Sequence, residues 1–173
     1  MLAAEIVKNF DKNTVSEVVH INRNSFPSHW SAADAESYYG EMLLDEKSIH
    51  ILLSDNGKRA GYMLAIPQNA AVEELKNDDP EIKKDASEYY IETVGILPGS
   101  RGKKGLSLML EKLAAECRRR GVKKISLHAR ITNNLSKIIQ KKFKIVGIRR
   151  LEKWRYYNFE EPTDYIEALV PAE

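Results

Sequence analysis

Tyr90-Ile-Glu-Thr-Val-Gly-Ile-Leu-Pro98-Gly-Ser-Arg-Gly-Lys-Lys-Gly-Leu-Ser107 is the stretch on which the reading of this chain turns. The run Tyr89 to Leu97 is rich in β-branched and aromatic residues, the composition of a strand, and Pro98-Gly99 stops it. Glycines stand at 99, 102 and 105, and Leu106, Met109, Leu110, Leu113 and Cys117 then recur at helical spacing. The segment is a strand, a tight turn and a helix. The first amides of a helix have no partner inside it and point outward. The helix dipole makes that end positive, and Arg101, Lys103 and Lys104 add full charges. Glycines let backbone approach a bound group closely. Arg101, Gly102, Lys103, Lys104, Gly105, Leu106 and Ser107 therefore suit an anion cradle, best matched to a diphosphate. A plain glycine-rich turn ahead of a helix remains the alternative. Neither G-x-x-x-x-G-K-[ST] nor G-x-G-x-x-G occurs, so the turn is neither a P-loop nor a dinucleotide fingerprint.

Upstream of that stretch, residues 5–10 alternate loosely as a short strand, and Thr14-Val-Ser-Glu17 is a capping box that starts a helix running to Pro27. Ser31-Ala-Ala-Asp34 is a second, weaker start, followed by a helix through Tyr38, Met42 and Leu43. Ile49 to Leu53 and Ala60 to Ile66 form a hairpin about Asn56-Gly57, since a type I′ turn needs two residues with positive φ. Residues 68–88 are charged and poorly periodic, and read as an exposed insertion with room for one short helix. Downstream, Arg118 to Arg120 occupy the last helical turn with Gly121 as its C-terminal stop. Lys123 to Ile131 is a strand, Asn133-Asn134 begins a short helix to about Lys142, and 143–157 and 165–170 close the chain as strands. The order β-α-α-β-β-β-α-β-α-β-β predicts an α/β fold, with a mixed sheet in a single domain over residues 1–173.

The 173 residues suit one domain with its own core. Lys and Arg total 27 against 25 Asp and Glu, a formal charge of +2, too weak to point to nucleic acid. The basic cluster at 118–124 reads as cations at a helix C-terminus, with no interleaved aromatics to stack bases. Cys117 is the single cysteine, so neither an internal disulfide nor a cysteine-rich metal site is expected. His20, His29 and His50 share no metal-ligand spacing. Glu5 and Lys8 break the first apolar run, and no stretch approaches the roughly 18 apolar residues of a membrane span. The expectation is a cytoplasmic protein with no metal, membrane or nucleic-acid partner.

Ile96-x-Pro98-x-x-Arg101-Gly102-Lys103 ahead of a Leu-rich helix resembles the acetyl-CoA motif of the GNAT superfamily of N-acetyltransferases. Ile125-Ser-Leu-His-Ala129, then Asn133, then Phe143-Lys-Ile-Val-Gly-Ile148 and Asp164-Tyr-Ile-Glu-Ala-Leu169 continue the likeness along nearly the whole chain. It departs in three places. Lys104 and Leu106 stand where the family's Q/R-x-x-G-x-G/A has small residues, with Gly105 between them, so the turn is expected to bend differently or to lean more on lysine charge. Residues 133–145 lack the tyrosine that protonates the leaving thiolate in many members, and the usual Gly-Phe pair reads Lys142-Phe143.

The resemblance implies a splayed central sheet and acetyl-CoA as cosubstrate. The pantetheine arm would pair with backbone at Val94, Ile96 and Leu97, the diphosphate would sit on the turn, and Asn133 would hold the pantetheine or the reaction centre. It implies transfer of an acetyl group to a primary amine of a small molecule, peptide or protein, and a homodimer as one assembly. The alternative is a non-catalytic acyl-CoA-binding or protein-interaction module on the same fold. Glu92, four residues before Ile96, is the candidate base; a solvated strand residue or a partner for a neighbouring lysine is the plainer reading. Tyr156, with Tyr157, is the substitute acid. Phe26 and Trp30 border the acceptor pocket of the family, or simply pin a helix junction. His128 reads as an interior or edge histidine before a catalytic one.

Overall fold

The computed structural model describes residues 1–8, 11–27, 34–156 and 159–172, with the side chains of Tyr156 and Phe159 set aside. Its elements are β1 (Leu2–Ile6), α1 (Lys12–Ser25), α2 (Ala35–Leu44), β2 (Ile49–Asp55), β3 (Lys58–Pro67), α3 (Gln68–Leu75), β4 (Glu88–Ile96), α4 (Gly105–Arg119), β5 (Lys124–Arg130), α5 (Leu135–Lys142), β6 (Lys144–Tyr156) and β7 (Phe159–Leu169). This is the expected mixed α/β order with one helix added. Among the described residues, no helix is long and apolar enough to cross a membrane.

The chain forms two compact units. The first comprises Met1–Ala65 and Thr93–Ala115, where strands run in the order β1-β2-β3-β4. β1 pairs antiparallel with β2, and β2 with β3 through the hairpin. Asn56 and Gly57 have φ of 51° and 78°, as the type I′ turn requires. Val18, Val19 and Ile21 of α1, Tyr39 and Leu43 of α2, and Met109, Leu110 and Leu113 of α4 are buried, at the i, i+3, i+4 spacing that makes a helix amphipathic.

The second unit comprises Ile66–Glu92 and Glu116–Glu173, with strand order β4-β5-β7-β6. β5 lies antiparallel to β7, and β7 to β6. β4 is parallel to β5 only from Glu88↔Lys124 to Tyr90↔Ser126. Beyond that register, Ile91 and Glu92 run on without a ladder partner on β5 among the described residues, the start of the expected splay.

Three expectations need correction. The first strand spans Leu2–Ile6 rather than 5–10, set by its pairing with β2. Helix α1 is capped by Asp11, whose carboxylate accepts from the Thr14 amide at 2.8 Å and its hydroxyl at 3.0 Å. Asp11 stands three residues ahead of Thr14, so Thr14 sits inside the first turn instead of capping it. Residues 68–88 are not an exposed insertion. Gln68, Ala71, Val72 and Leu75 form a buried i, i+3, i+4, i+7 stripe on α3, and Asp79, Ile82 and Glu88 are buried too. Gln68 and Ala71 contribute so little hydrophobicity that the stripe is faint in the sequence.

The basic cluster at the end of α4 is structural. Arg119 and Arg120 both bond the buried Glu116 carboxylate, at 2.6 and 2.7 Å, and hold it at about 2.

Candidate functional site

The turn after β4 lies within the first unit. The Leu97 amide donates to the Ala60 carbonyl at 2.8 Å, tying the end of β4 to β3. Pro98–Ser100 makes one 3-10 turn. Gly102 and Lys104 then adopt positive φ, 76° and 66°. The left-handed region costs a non-glycine residue about 1 kcal/mol, and such strain concentrates at functional sites. The α4 ladder opens with the Leu108 amide on the Lys104 carbonyl at 3.2 Å, so the amides of Gly105, Leu106 and Ser107 lack an acceptor one turn back.

The displaced glycine has a packing reason. A Cβ on Gly105 would lie 2.5 Å from Leu53 Cδ2, a fully buried side chain of β2. The small residue is needed where α4 crosses β2, and the left-handed bend falls to Lys104 instead.

Side chains set the cations of this turn in place. Lys103 Nζ lies 2.7 Å from Asp55 Oδ2, which also accepts from Ser100 Oγ at 3.1 Å. The Lys103 bond holds the Asp55 carboxyl below its ordinary value. Arg101 turns back on the fold, donating to the Ile96 carbonyl at 2.9 Å and the Ser25 carbonyl at 2.7 Å. Arg101 thus fastens the C-terminus of α1 to the end of β4, a role invisible in its motif position. Gly95 lets the two elements close up: a Cβ there would sit 2.9 Å from Ser25 Cβ and 3.4 Å from Phe26 Cε2. Phe26 is thereby packed beside the strand expected to carry the pantetheine. Trp30 lies outside the described residues.

Val94 and Ile96 are half-buried near the end of β4. The first unit therefore brings Val94, Ile96, Leu97, Arg101 to Ser107 and Phe26 together. Glu92, Asn133 and Tyr156 belong to the second unit. Glu92 is half-buried on β4 and shares a strand face with Glu88 and Tyr90 by alternation. Asn133 accepts from the Leu135 amide through Oδ1 at 2.9 Å, an Asx turn that opens α5. Tyr156 ends β6, and its side chain lies outside the described part.

The second unit also holds a polar cluster for which the sequence shows only isolated residues. Asp79 and His128 have side chains 1% and 2% exposed, with His128 Nε2 3.0 Å from Asp79 Oδ2. His128 Nδ1 lies 2.9 Å from the Tyr90 hydroxyl. Arg149 Nη2 reaches the same Asp79 oxygen at 2.6 Å. Gln68 bridges the Tyr165 hydroxyl, at 2.9 Å, and the Ser126 hydroxyl, at 2.8 Å. Burial alone would raise Asp79; the bonds from His128 and Arg149 outweigh it and hold the carboxyl at about 2. Burial pushes His128 below its ordinary value, against the pull of Asp79.

Both shifts make acid destabilising. Unfolded His128 takes up a proton below about pH 6.5 before the folded ring does, so stability drains as pH falls from there toward the folded value. Asp79 contributes roughly 2 kcal/mol above about pH 4, lost as pH falls through its folded pKa. The urea midpoint should decline from pH 7.5 to 5.5, and His128→Gln should flatten that decline.

Strand, left-handed turn and helix start stand together in a mixed α/β protein. The profile described as the acetyltransferase (GNAT) family matches residues 15–138, and the chain belongs to that family. Solved structures share its fold. The ribosomal-protein-S18-alanine N-acetyltransferase of Escherichia coli aligns at TM-score 0.67 and 18% identity, over 100% of this chain and 96% of its own. An N-acetyltransferase of Staphylococcus aureus Mu50 aligns at 0.69 and 14% identity, covering 99% of each chain. An aminoglycoside 6'-N-acetyltransferase complexed with coenzyme A aligns at 0.69 and 13% identity, over 99% of this chain and 98% of its own. Comparison with curated proteins returns no match.

Proposed function

We propose that residues 1–173 act as one N-acetyltransferase domain that moves an acetyl group from acetyl-CoA to a primary amine of a small molecule, peptide or protein. The observation that supports this reading best is the turn: left-handed Gly102 and Lys104 lead into a helix whose first three amides have no acceptor one turn back, with Lys103 and Lys104 just ahead of it. Those amides fit a diphosphate, and the helix dipole favours its charge. Acetyl-CoA supplies the activated thioester; the chain supplies orientation and charge.

In this reading Gly102 to Ser107 receive the diphosphate, with charge from Lys103 and Lys104. Arg101 shapes the turn through the Ile96 and Ser25 carbonyls. Backbone at Val94, Ile96 and Leu97 pairs with the amide-bearing pantetheine, as in strand addition. Amides near Gly95 and Ile96 polarise the thioester carbonyl. Glu92 takes the amine's proton, Asn133 steadies the pantetheine or reaction centre, Phe26 and Trp30 border the acceptor, and Tyr156 is the substitute acid.

Isothermal titration with acetyl-CoA and CoA tests the cofactor half. Saturable binding is expected, weakened roughly tenfold, or about 1.4 kcal/mol, in the double variant Lys103→Ala, Lys104→Ala. Absence of heat overturns the reading. Binding without thiol release across a broad amine panel would instead identify a non-catalytic acyl-CoA-binding module.

A further inference from the structure

We propose that Asp79, His128 and Tyr90 form a proton relay serving Glu92, an inference that rests on the transfer reaction proposed above. All four residues belong to the second unit. Asp79 is ionised at neutral pH and can only accept, so the proton of the His128 ring sits on Nε2, 3.0 Å away. Nδ1 is then an acceptor, and the Tyr90 hydroxyl donates to it at 2.9 Å. The chain is polarised in one direction: phenol to imidazole to carboxylate. It repeats the logic of a base oriented by a buried acid, with phenol in the hydroxyl position.

A structural tie would not need this order. The Arg149–Asp79 pair already fastens the α3–β4 connection to β6. The imidazole is also placed to carry charge briefly. It stacks on Trp154 at 3.9 Å and 10°, with the Tyr165 ring at 4.9 Å. The charged and titratable groups facing it are Asp78 and Asp79 from the α3–β4 connection, Tyr90 from β4, Arg149 from β6 and Tyr165 from β7. Burial and Arg149 oppose an imidazolium, while Asp79 and Asp78 favour it.

Tyr90 and Glu92 share a face of β4, with Cα atoms roughly 6.6 Å apart along the strand, and in the relay water carries the proton between their side chains. An ammonium proton passes from nitrogen to the Glu92 carboxylate, then to the Tyr90 oxygen, while Tyr90's own proton moves to His128 Nδ1. The restored carboxylate takes the second nitrogen proton as the C–N bond forms and the C–S bond breaks. The Glu92 proton passes to the leaving thiolate sulfur, and the His128 proton then returns through Tyr90 and Glu92 to solvent, which resets the relay. Asp79, His128 and Tyr90 are positioning residues that act through Glu92.

Two measurements on the full chain test this. Nitrogen-15 NMR should find the His128 proton on Nε2 at neutral pH, and Glu92→Gln should move the His128 titration midpoint. A ring protonated on Nδ1, or a midpoint indifferent to Glu92→Gln, overturns the relay whether or not any amine is acetylated. Tyr90→Phe keeps the ring and should remain folded by circular dichroism. It should lower kcat about tenfold to a hundredfold, displace the pH–rate profile, and leave acetyl-CoA affinity unchanged. An unchanged profile also overturns the relay. If acetyl-CoA binds but no amine yields thiol, the transferase reading falls and the NMR result alone decides the relay.

Discussion

Glu92→Gln should lower kcat by about 10²- to 10⁴-fold while acetyl-CoA affinity stays near that of the wild type. A lysine-type amine has a pKa near 10.4, so at pH 7 about 99.9% of it is protonated and cannot attack a thioester. A base must take that proton, and Glu92 stands on β4, the strand whose far end leads into the glycine turn. Glutamine preserves the volume and one acceptor oxygen, and removes the charge and the basicity. The cofactor contacts proposed for β4 are backbone contacts at Val94, Ile96 and Leu97, which the substitution leaves alone. Stopped-flow thiol release and calorimetry on the same preparation separate the two effects. Unchanged turnover would remove Glu92 from the mechanism.

Gly61→Val should cost about 2–3 kcal/mol of stability, the scale of overpacking a core. That corresponds to a fall in Tm of roughly 5–10 °C for a chain of this size. A Cβ at Gly61 would lie 2.9 Å from the Gly95 carbonyl oxygen and 3.2 Å from both Leu53 Cβ and Ile96 Cγ1. The closest of these is backbone, so no rotamer relieves the clash; β4 would have to move away from β3. The same displacement disturbs the Leu97–Ala60 bond that sets the start of the turn, so acetyl-CoA affinity should fall with stability. Gly40 is the control. It lies inside α2, and a methyl group added there would meet nothing within 4 Å, so Gly40→Ala should stabilise by about 0.5–1 kcal/mol. Equal melting temperatures for Gly61→Val and the wild type would refute the packing argument.

Much of the fold is legible in the sequence because its signals are local. The Asn56-Gly57 turn, the apolar stripe of α4 from Leu106 to Cys117 and the strand–turn–helix at 90–107 each depend on spacing within one element. Helix α3 is faint because its stripe is carried by glutamine and alanine as well as valine and leucine, while its charged flank dominates the composition. The α1 cap is ambiguous in sequence because two capping residues three apart, Asp11 and Thr14, compete for the same helix start, and the earlier one prevails.

Element order apart from α3, the family likeness and the position of the glycine turn are all readable from residue types at short separation along the chain. What those residues face depends on packing between elements distant in sequence. Leu53 of β2 is what makes Gly105 the small residue of the turn, and Asp55 and Ser25 are what hold Lys103 and Arg101. Asp79, Tyr90, His128 and Arg149 are far apart along the chain and meet only because β4, β5, β6 and the α3–β4 connection pack together. Burial and pairing at that meeting set their protonation, and neither is a property of any one stretch of sequence.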